Sequence, residues 1–294
     1  MVKESMDLKK KTHPLLIAGM ILLAFLFYFP FHYVLVLAFN DAYDAYRGGL
    51  WLFPRVFTTD NFKVLFNNPY LFRSFGVTIA RVGIMAVIVP FLCAMYGYAL
   101  TFRELIWRKF FSLYIIIPMY ISSGVIPFYT VLRKLHLVDT FLVFIIPYMM
   151  VPFYILLFRS YFQDHVHSLR EAAIMDGATE FGTFLRIVLP ISVPVIAVVA
   201  LYSAVSNWNE WYVGQAFVTR SELWPLQTVM LQVIKSQEMK FAGLSSSIVN
   251  KQSKVTPEAV RMAMIVVCVV PILFVYPFLQ RYFIHGIMIG AVKE

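Results

Sequence analysis

Six apolar runs, each about 20 residues or more, punctuate this 294-residue chain, and the charged residues gather in the segments between them. The runs cover residues 15–39, 74–100, 110–132, 140–158, 187–206 and 262–283. A helix that crosses about 30 Å of hydrocarbon needs about 20 residues, because lipid offers no partner to exposed backbone N–H and C=O groups and a helix satisfies them internally. The pattern therefore predicts an all-α transmembrane fold of six helices. Pro190 and Pro194 fall in the first turns of the fifth run, and Pro271 and Pro277 are expected to interrupt the sixth.

The first apolar run follows Lys3 and Lys9 to Lys11, as a secretory signal would, but it is too long for one and is read as an uncleaved first span. The organisation expected is a segment 1–14, a membrane domain 15–283 and a tail 284–294, with both termini on the cytoplasmic side of a bacterial inner membrane. This orientation makes the long loops 40–73 and 207–261 extracytoplasmic and the loop 159–186 cytoplasmic. With Arg281 counted as cytoplasmic, Lys and Arg divide evenly between the two sides, so orientation rests on loop length and on the motif described below.

Composition agrees with this pattern. Hydrophobic residues make up 60% of the chain and charged residues 14%, where a soluble domain needs roughly a quarter charged. The mean hydropathy is +0.74. The net charge of +9 is scattered through short connectors with no aromatic-interleaved basic face, which points to anionic lipid and excludes nucleic acid. Cys93 and Cys268 both lie in apolar runs and are read as packing residues, with no metal site indicated.

None of the six runs contains an Asp or Glu, the residues from which proton-coupled carriers build their relays. Arg81 is the one charge deep within a run. Either it snorkels to the interface or it lies on a translocation path, contacting hydroxyls or a carboxylate. His32 is the only histidine in a run and is read as a packed, hydrogen-bonded residue rather than part of a catalytic cluster. None of the 13 glycines is followed by Lys, so a Walker A phosphate loop is absent and any ATP that drives this chain is hydrolysed elsewhere.

The loop 159–186 and the start of the next run carry the most specific pattern. Ser168 stands three residues before Glu171, the spacing of a capping box, so a short helix is expected to start at Ser168. Gly177 can supply the left-handed turn that ends it, and Thr179 can cap a second helix running toward Pro190. Glu171, Ala172, Ala173, Gly177, Ile187, Leu189 and Pro190 together resemble the signature of the permease subunits of ABC importers. The resemblance implies the six-helix type I importer fold and a coupling helix, carried by Glu171, Ala172, Ala173, Asp176, Gly177, Leu189 and Pro190, that docks on a separate ATPase.

Other stretches are similar to the carbohydrate branch, specifically the second permease of maltose-type importers. They are Leu137 to Thr140, Asn207 to Trp211, the C-terminal Gly286 to Lys293, and the ending Tyr276 to Phe283, which is closest to an oligosaccharide and polysaccharide subgroup that includes the alginate importer. The resemblance implies a homologous second permease, two copies of an ATPase subunit and an extracytoplasmic solute-binding protein as partners. It also implies no cofactor on this chain, with ATP and Mg on the partner ATPase. The cargo expected is a sugar or polysaccharide fragment, acidic on one reading of Arg81, with a non-sugar solute as the alternative. A secondary carrier and an intramembrane enzyme fit the absence of buried acids less well.

Arg81, Trp208 and Asn209 are the candidates for the substrate path, although Trp208 and Trp211 fit interface anchors as well as sugar-stacking platforms. The polar loop from Gln237 to Pro257, with Gly243, Ser245, Ser246 and Asn250, is either a connector or the segment that reaches into the binding protein, as the resemblance implies.

Overall fold

The computed structural model describes residues 14–121, 123–244 and 255–291, and among them helices dominate. They fall into two compact units. One comprises the chain up to Asn68 with Val233–Pro271, the other Pro69–Gln232 with the chain from Ile272 on.

In the first unit, α1 (Pro14–Ala38) is a 25-residue helix, about 37 Å long at 1.5 Å per residue, and it is exposed over most of its surface. The connector after it is folded around one asparagine. Asn40 Oδ1 accepts from the backbone N–H groups of Arg55 (2.7 Å) and Val56 (3.0 Å), its side-chain amide donates to Asp44, and Asn61 Nδ2 donates to the carbonyls of Ala38 and Asn40, both at 2.9 Å. Asn61 belongs to α2 (Asp60–Phe66), which these bonds fasten to the end of α1.

The second unit is organised by α3 (Leu71–Ala99), whose buried stripe runs from Leu71 through Thr78, Arg81, Met85, Val89 and Cys93 to Tyr98. It packs against α6 (Pro152–His165) and α9 (Val193–Trp208). Contact with α6 is tight at Gly97, where an added Cβ would lie 2.9 Å from Phe158 Cβ and 3.0 Å from the Ile155 carbonyl oxygen. Contact with α9 is marked by a hydrogen bond from Ser203 Oγ to the Met85 carbonyl, 3.1 Å. Phe144, Phe158, Phe162 and Phe184 are fully buried in the same core.

Among the described residues, three helices are long and apolar enough to cross a bilayer: α1, α3 and the last helix, α12 (Pro257–Ala291). Two further helix pairs are long and apolar enough only when taken together, and each is bent. The fourth predicted run forms tight helical turns over Phe141–Tyr148 followed by α6, bent by 42°. The fifth forms Glu180–Ile191 followed by α9, bent by 80° at Ser192. Pro147, Pro152, Pro190 and Pro194 lie beside these bends, and Pro152 and Pro194 stand in the first turns of α6 and α9, where a helix tolerates the missing N–H.

The third run is not one helix. It divides into α4 (Arg108–Tyr120) and α5 (Val125–Lys134), with Ile121 extended and Gly124 at φ 76°, and neither piece alone spans a bilayer. The sixth departs from expectation in the other direction: the α12 backbone stays helical past both Pro271 and Pro277. Further helices are α7 (His167–Met175), α8 (Glu180–Thr183), α10 (Tyr212–Phe217) and α11 (Leu226–Leu244), beside short helical turns such as Ala42–Ala45.

Candidate functional site

The segment between α6 and α9 forms a helical hairpin whose turn follows from its residues. α7 ends at Asp176. Gly177 sits at φ +83°, a conformation an L side chain adopts only with strain. The N–H of Gly177 then bonds to Ile174 O (3.0 Å) and that of Ala178 to Ala173 O (2.9 Å), closing the paired bonds of a Schellman motif. Thr179 Oγ1 accepts from Gly182 N at 3.2 Å and so caps α8, as expected from the sequence.

The capping box does not form. α7 begins at His167 with Val166 before it, and no side chain caps it. The reason lies in continuity with α6: Val166 N bonds to Phe162 O and Arg170 N to Val166 O, so there is almost no free helix start for Ser168 to serve.

After α8 the backbone widens into a π-helical turn, Phe184–Val188, then closes in one turn, Leu189–Ile191. Ser192 Oγ donates to Val188 O (2.7 Å) at the bend. Such single π turns occur often at functional positions in helices.

The hairpin is fastened to α3 by a charged clamp. Both oxygens of Glu180 accept from Arg170, with Nε to Oε2 at 3.1 Å and Nη2 to Oε1 closer still. Tyr98 of α3 donates its hydroxyl to Glu180 Oε2 at 3.1 Å, and the Arg170 guanidinium lies 4.1 Å from the Phe102 ring centroid. The hydrogen-bonded Glu180 carboxylate, opposed by partial burial, holds Arg170 above the ordinary arginine range. Outside this clamp the hairpin shows Glu171, Ala172, Asp176, Gly177 and Pro190 on its surface, with Met175 87% exposed. Ala173 is buried and Leu189 packs partly into the core.

A second constellation lies toward the other end of α3. Arg81 does not snorkel: it is 2% exposed. Its Nε donates to Asn207 Oδ1 (3.0 Å), its Nη2 to Glu210 Oε2 (3.3 Å), and its guanidinium stands 5.0 Å from the Phe144 ring centroid. Nη1 is buried with no hydrogen-bond partner. Glu210 also accepts from the N–H groups of Tyr212 (2.6 Å) and Val213 (3.1 Å), so it organises the start of α10 as well as facing the arginine. Asn207 is fixed in turn by donating to Ser203 O at 2.8 Å. These groups line a cavity of about 300 Å³ together with Tyr148, Tyr154 and Ser206.

Of the three residues proposed for a substrate path, only Arg81 lines this cavity. Trp208 is buried against Phe75, with ring centroids 6.4 Å apart, and Asn209 turns outward and donates to Val205 O. The polar partners in the cavity are their neighbours Asn207 and Glu210. The signal that could have found Glu210 is its position: an acid one turn beyond an apolar run is the nearest available partner for a charge buried in another run.

In the first unit, Gln237 to Leu244 continue α11, so Gly243 lies in its last turn, whereas Ser245, Ser246 and Asn250 fall outside the described residues. His32 of α1 bonds to Leu52 O at 2.8 Å and faces Tyr28 Oη at 3.4 Å, as a packed histidine would. Among the described residues no cluster of three or more His, Cys, Asp or Glu is placed to hold a metal ion.

Comparison with known proteins places these features. Protein LplC of Bacillus subtilis (strain 168) is 35% identical over 90% of this chain and 88% of its own. The polygalacturonan/rhamnogalacturonan transport system permease protein YtcP of the same organism is 30% identical, over 97% of this chain and all of its own. The crystal structure of a bacterial ABC transporter involved in the import of the acidic polysaccharide alginate contains a chain that matches with a TM-score of 0.77. Identity is 25%, covering 91% of this chain and 95% of that one. Residues 86–289, which hold both the hairpin and most of the α6 and α9 packing, match the family described as binding-protein-dependent transport system inner membrane component. The chain belongs to that family: it is a membrane-spanning permease subunit of an ABC importer, a transport component rather than an enzyme.

Proposed function

We propose that this permease forms half of a translocation pathway for a sugar, oligosaccharide or polysaccharide fragment, delivered by an extracytoplasmic binding protein and moved by alternating access. A permease of this family works with a second permease, an ATPase and a solute-binding protein. In this reading the second permease is homologous, the ATPase is present in two copies, and ATP and Mg bind there and not on this chain. Both termini and the Gly177 hairpin face the cytoplasm, and the chain lies in a bacterial inner membrane.

The observation that carries this reading is the hairpin around Gly177. It exposes Ala172 and the apolar side chains of Ile174, Met175 and Phe181 beside an acid, Glu171, while its base is locked to α3 through Glu180 and Tyr98. An ATPase that pushes on Glu171 to Gly177 thereby acts on α3 directly, and Leu189 and Pro190 pass the motion to the bend before α9. Ligand moves because the two states bind it differently. Gly243 with Ser245, Ser246 and Asn250 is proposed to meet the binding protein. The sugar assignment draws support from the names of the relatives.

Reconstitution tests this. In proteoliposomes holding the assembled importer, uptake of an oligosaccharide is expected to require enclosed ATP and the added binding protein. Uptake of amino acids in place of sugars would overturn the cargo, and uptake without any nucleotide-hydrolysing subunit would overturn the mechanism.

A further inference from the structure

We infer that the cavity at Arg81 is a subsite for a carboxylate-bearing sugar residue in transit, with Arg81 Nη1 as the donor that meets the carboxylate. This rests on the sugar reading above and adds both a chemical class and a place on this chain.

An arginine held almost entirely out of water places all of its N–H groups where each needs an acceptor, because an unmatched buried donor forfeits its hydration without return. Two of the three nitrogens of Arg81 are used, by Asn207 and Glu210. The third, Nη1, is buried, unpartnered and part of a group that lines the cavity. A carboxylate is the acceptor to which a planar guanidinium donates best. A neutral hydroxyl serves less well.

Glu210 weighs against an anion, and its own bonds show how far. Its oxygens are shared with the N–H groups of Tyr212 and Val213, so its carboxylate does not depend on Arg81 alone for hydrogen bonds. The Arg81–Glu210 pair is formally neutral, so an entering carboxylate is held by hydrogen bonding to Arg81 and only weakly, as conduction through a pathway requires. The volume of about 300 Å³ sits at the lower end of ligand pockets and suits a sugar ring rather than a chain. The hydroxyls of Ser206 and Tyr148 and the Ser203 oxygen, which keeps accepting capacity while it donates to Met85 O, can serve the ring hydroxyls. Among the similar proteins, one is named for polygalacturonan and another for import of the acidic polysaccharide alginate.

The test uses the complete importer in proteoliposomes with enclosed ATP and the binding protein, and tetragalacturonate as the probe. Rates are normalised to assembled transporter. The double variant Arg81→Gln with Glu210→Gln is expected to lose tetragalacturonate uptake at least tenfold, and Arg81→Lys to lose less. Glu210→Gln alone is expected to lower the half-saturating concentration, because it removes the internal competitor for Arg81. A purely structural ion pair predicts impairment by both changes, so a slower Glu210→Gln importer would overturn the subsite even if the double variant failed to assemble. Wild-type uptake in the double variant would also overturn it. If the wild-type importer moves a neutral tetrasaccharide but not tetragalacturonate, the subsite falls and the sugar reading stands. If it moves neither, both fall.

Discussion

Near one end of α3, Tyr98 meets Glu180 in the grip of Arg170; toward the other, Arg81 reaches Asn207 and Glu210. In the first cluster the two oxygens of one carboxylate match one guanidinium in a fork, and an aromatic ring closes over it. In the second, the carboxylate is divided between the arginine and two backbone N–H groups, and one nitrogen of an arginine that lines a cavity is left without a partner. The same pair of residue types thus serves two purposes. A closed pair holds two elements together, and an incompletely matched one holds a position for something else.

The contrast can be broken most severely at Arg81. Arg81→Leu strands Glu210 beside an apolar side chain and is expected to cost about 3 kcal/mol, the scale for removing one partner of a buried pair, read as a lowered thermal midpoint of the purified importer. Adding Glu210→Gln should restore much of that loss. A double variant no more stable than Arg81→Leu would mean that the pair is not what stabilises this region.

Glu180→Gln tests the clamp. It removes a charge-assisted fork that is partly exposed, so about 1–2 kcal/mol is expected. The informative readout is coupling: ATP hydrolysis should persist while uptake per ATP falls, and unchanged coupling would reduce the clamp to a fastener.

Gly177 offers a smaller and cleaner effect. An added Cβ there would meet nothing within 4 Å, so Gly177→Ala should cost only the backbone strain of its positive φ, about 1 kcal/mol. Gly177→Asn should lose less, because Asn tolerates that conformation better. Equal losses in uptake would indicate that the partner requires the absence of a side chain instead.

The least effect is expected from Ser168→Ala, within about 0.5 kcal/mol, since no cap depends on the hydroxyl. A loss near 1 kcal/mol would restore the capping box.

Much of the fold was legible because lipid forces backbone bonds to stay within a helix, so apolar length alone marks α1 and α3 to within a few residues. The hairpin was legible for a related reason: Gly177 and Thr179 act locally, and local geometry is written in adjacent residues. The division at Ile121 to Gly124 was hidden inside an apolar run whose composition hardly changes across it. Ser168 misled because its motif presumes a free helix start that α6 removes. The pairing of Arg81 with Glu210 spans 129 residues, and that of Tyr98 with Glu180 spans 82, distances over which spacing in sequence carries no information. Either acid looks like an ordinary loop residue until the helices are assembled.

The seat of Gly97 against Ile155 and Phe158 limits how these helices can travel. A shift of one residue along the axis, about 1.5 Å with its turn of the helix, would bring Tyr96 or Tyr98 to a place where only a hydrogen atom fits. The contact is therefore a detent. It opposes slippage of α3 along α6, so these two helices are held in one register.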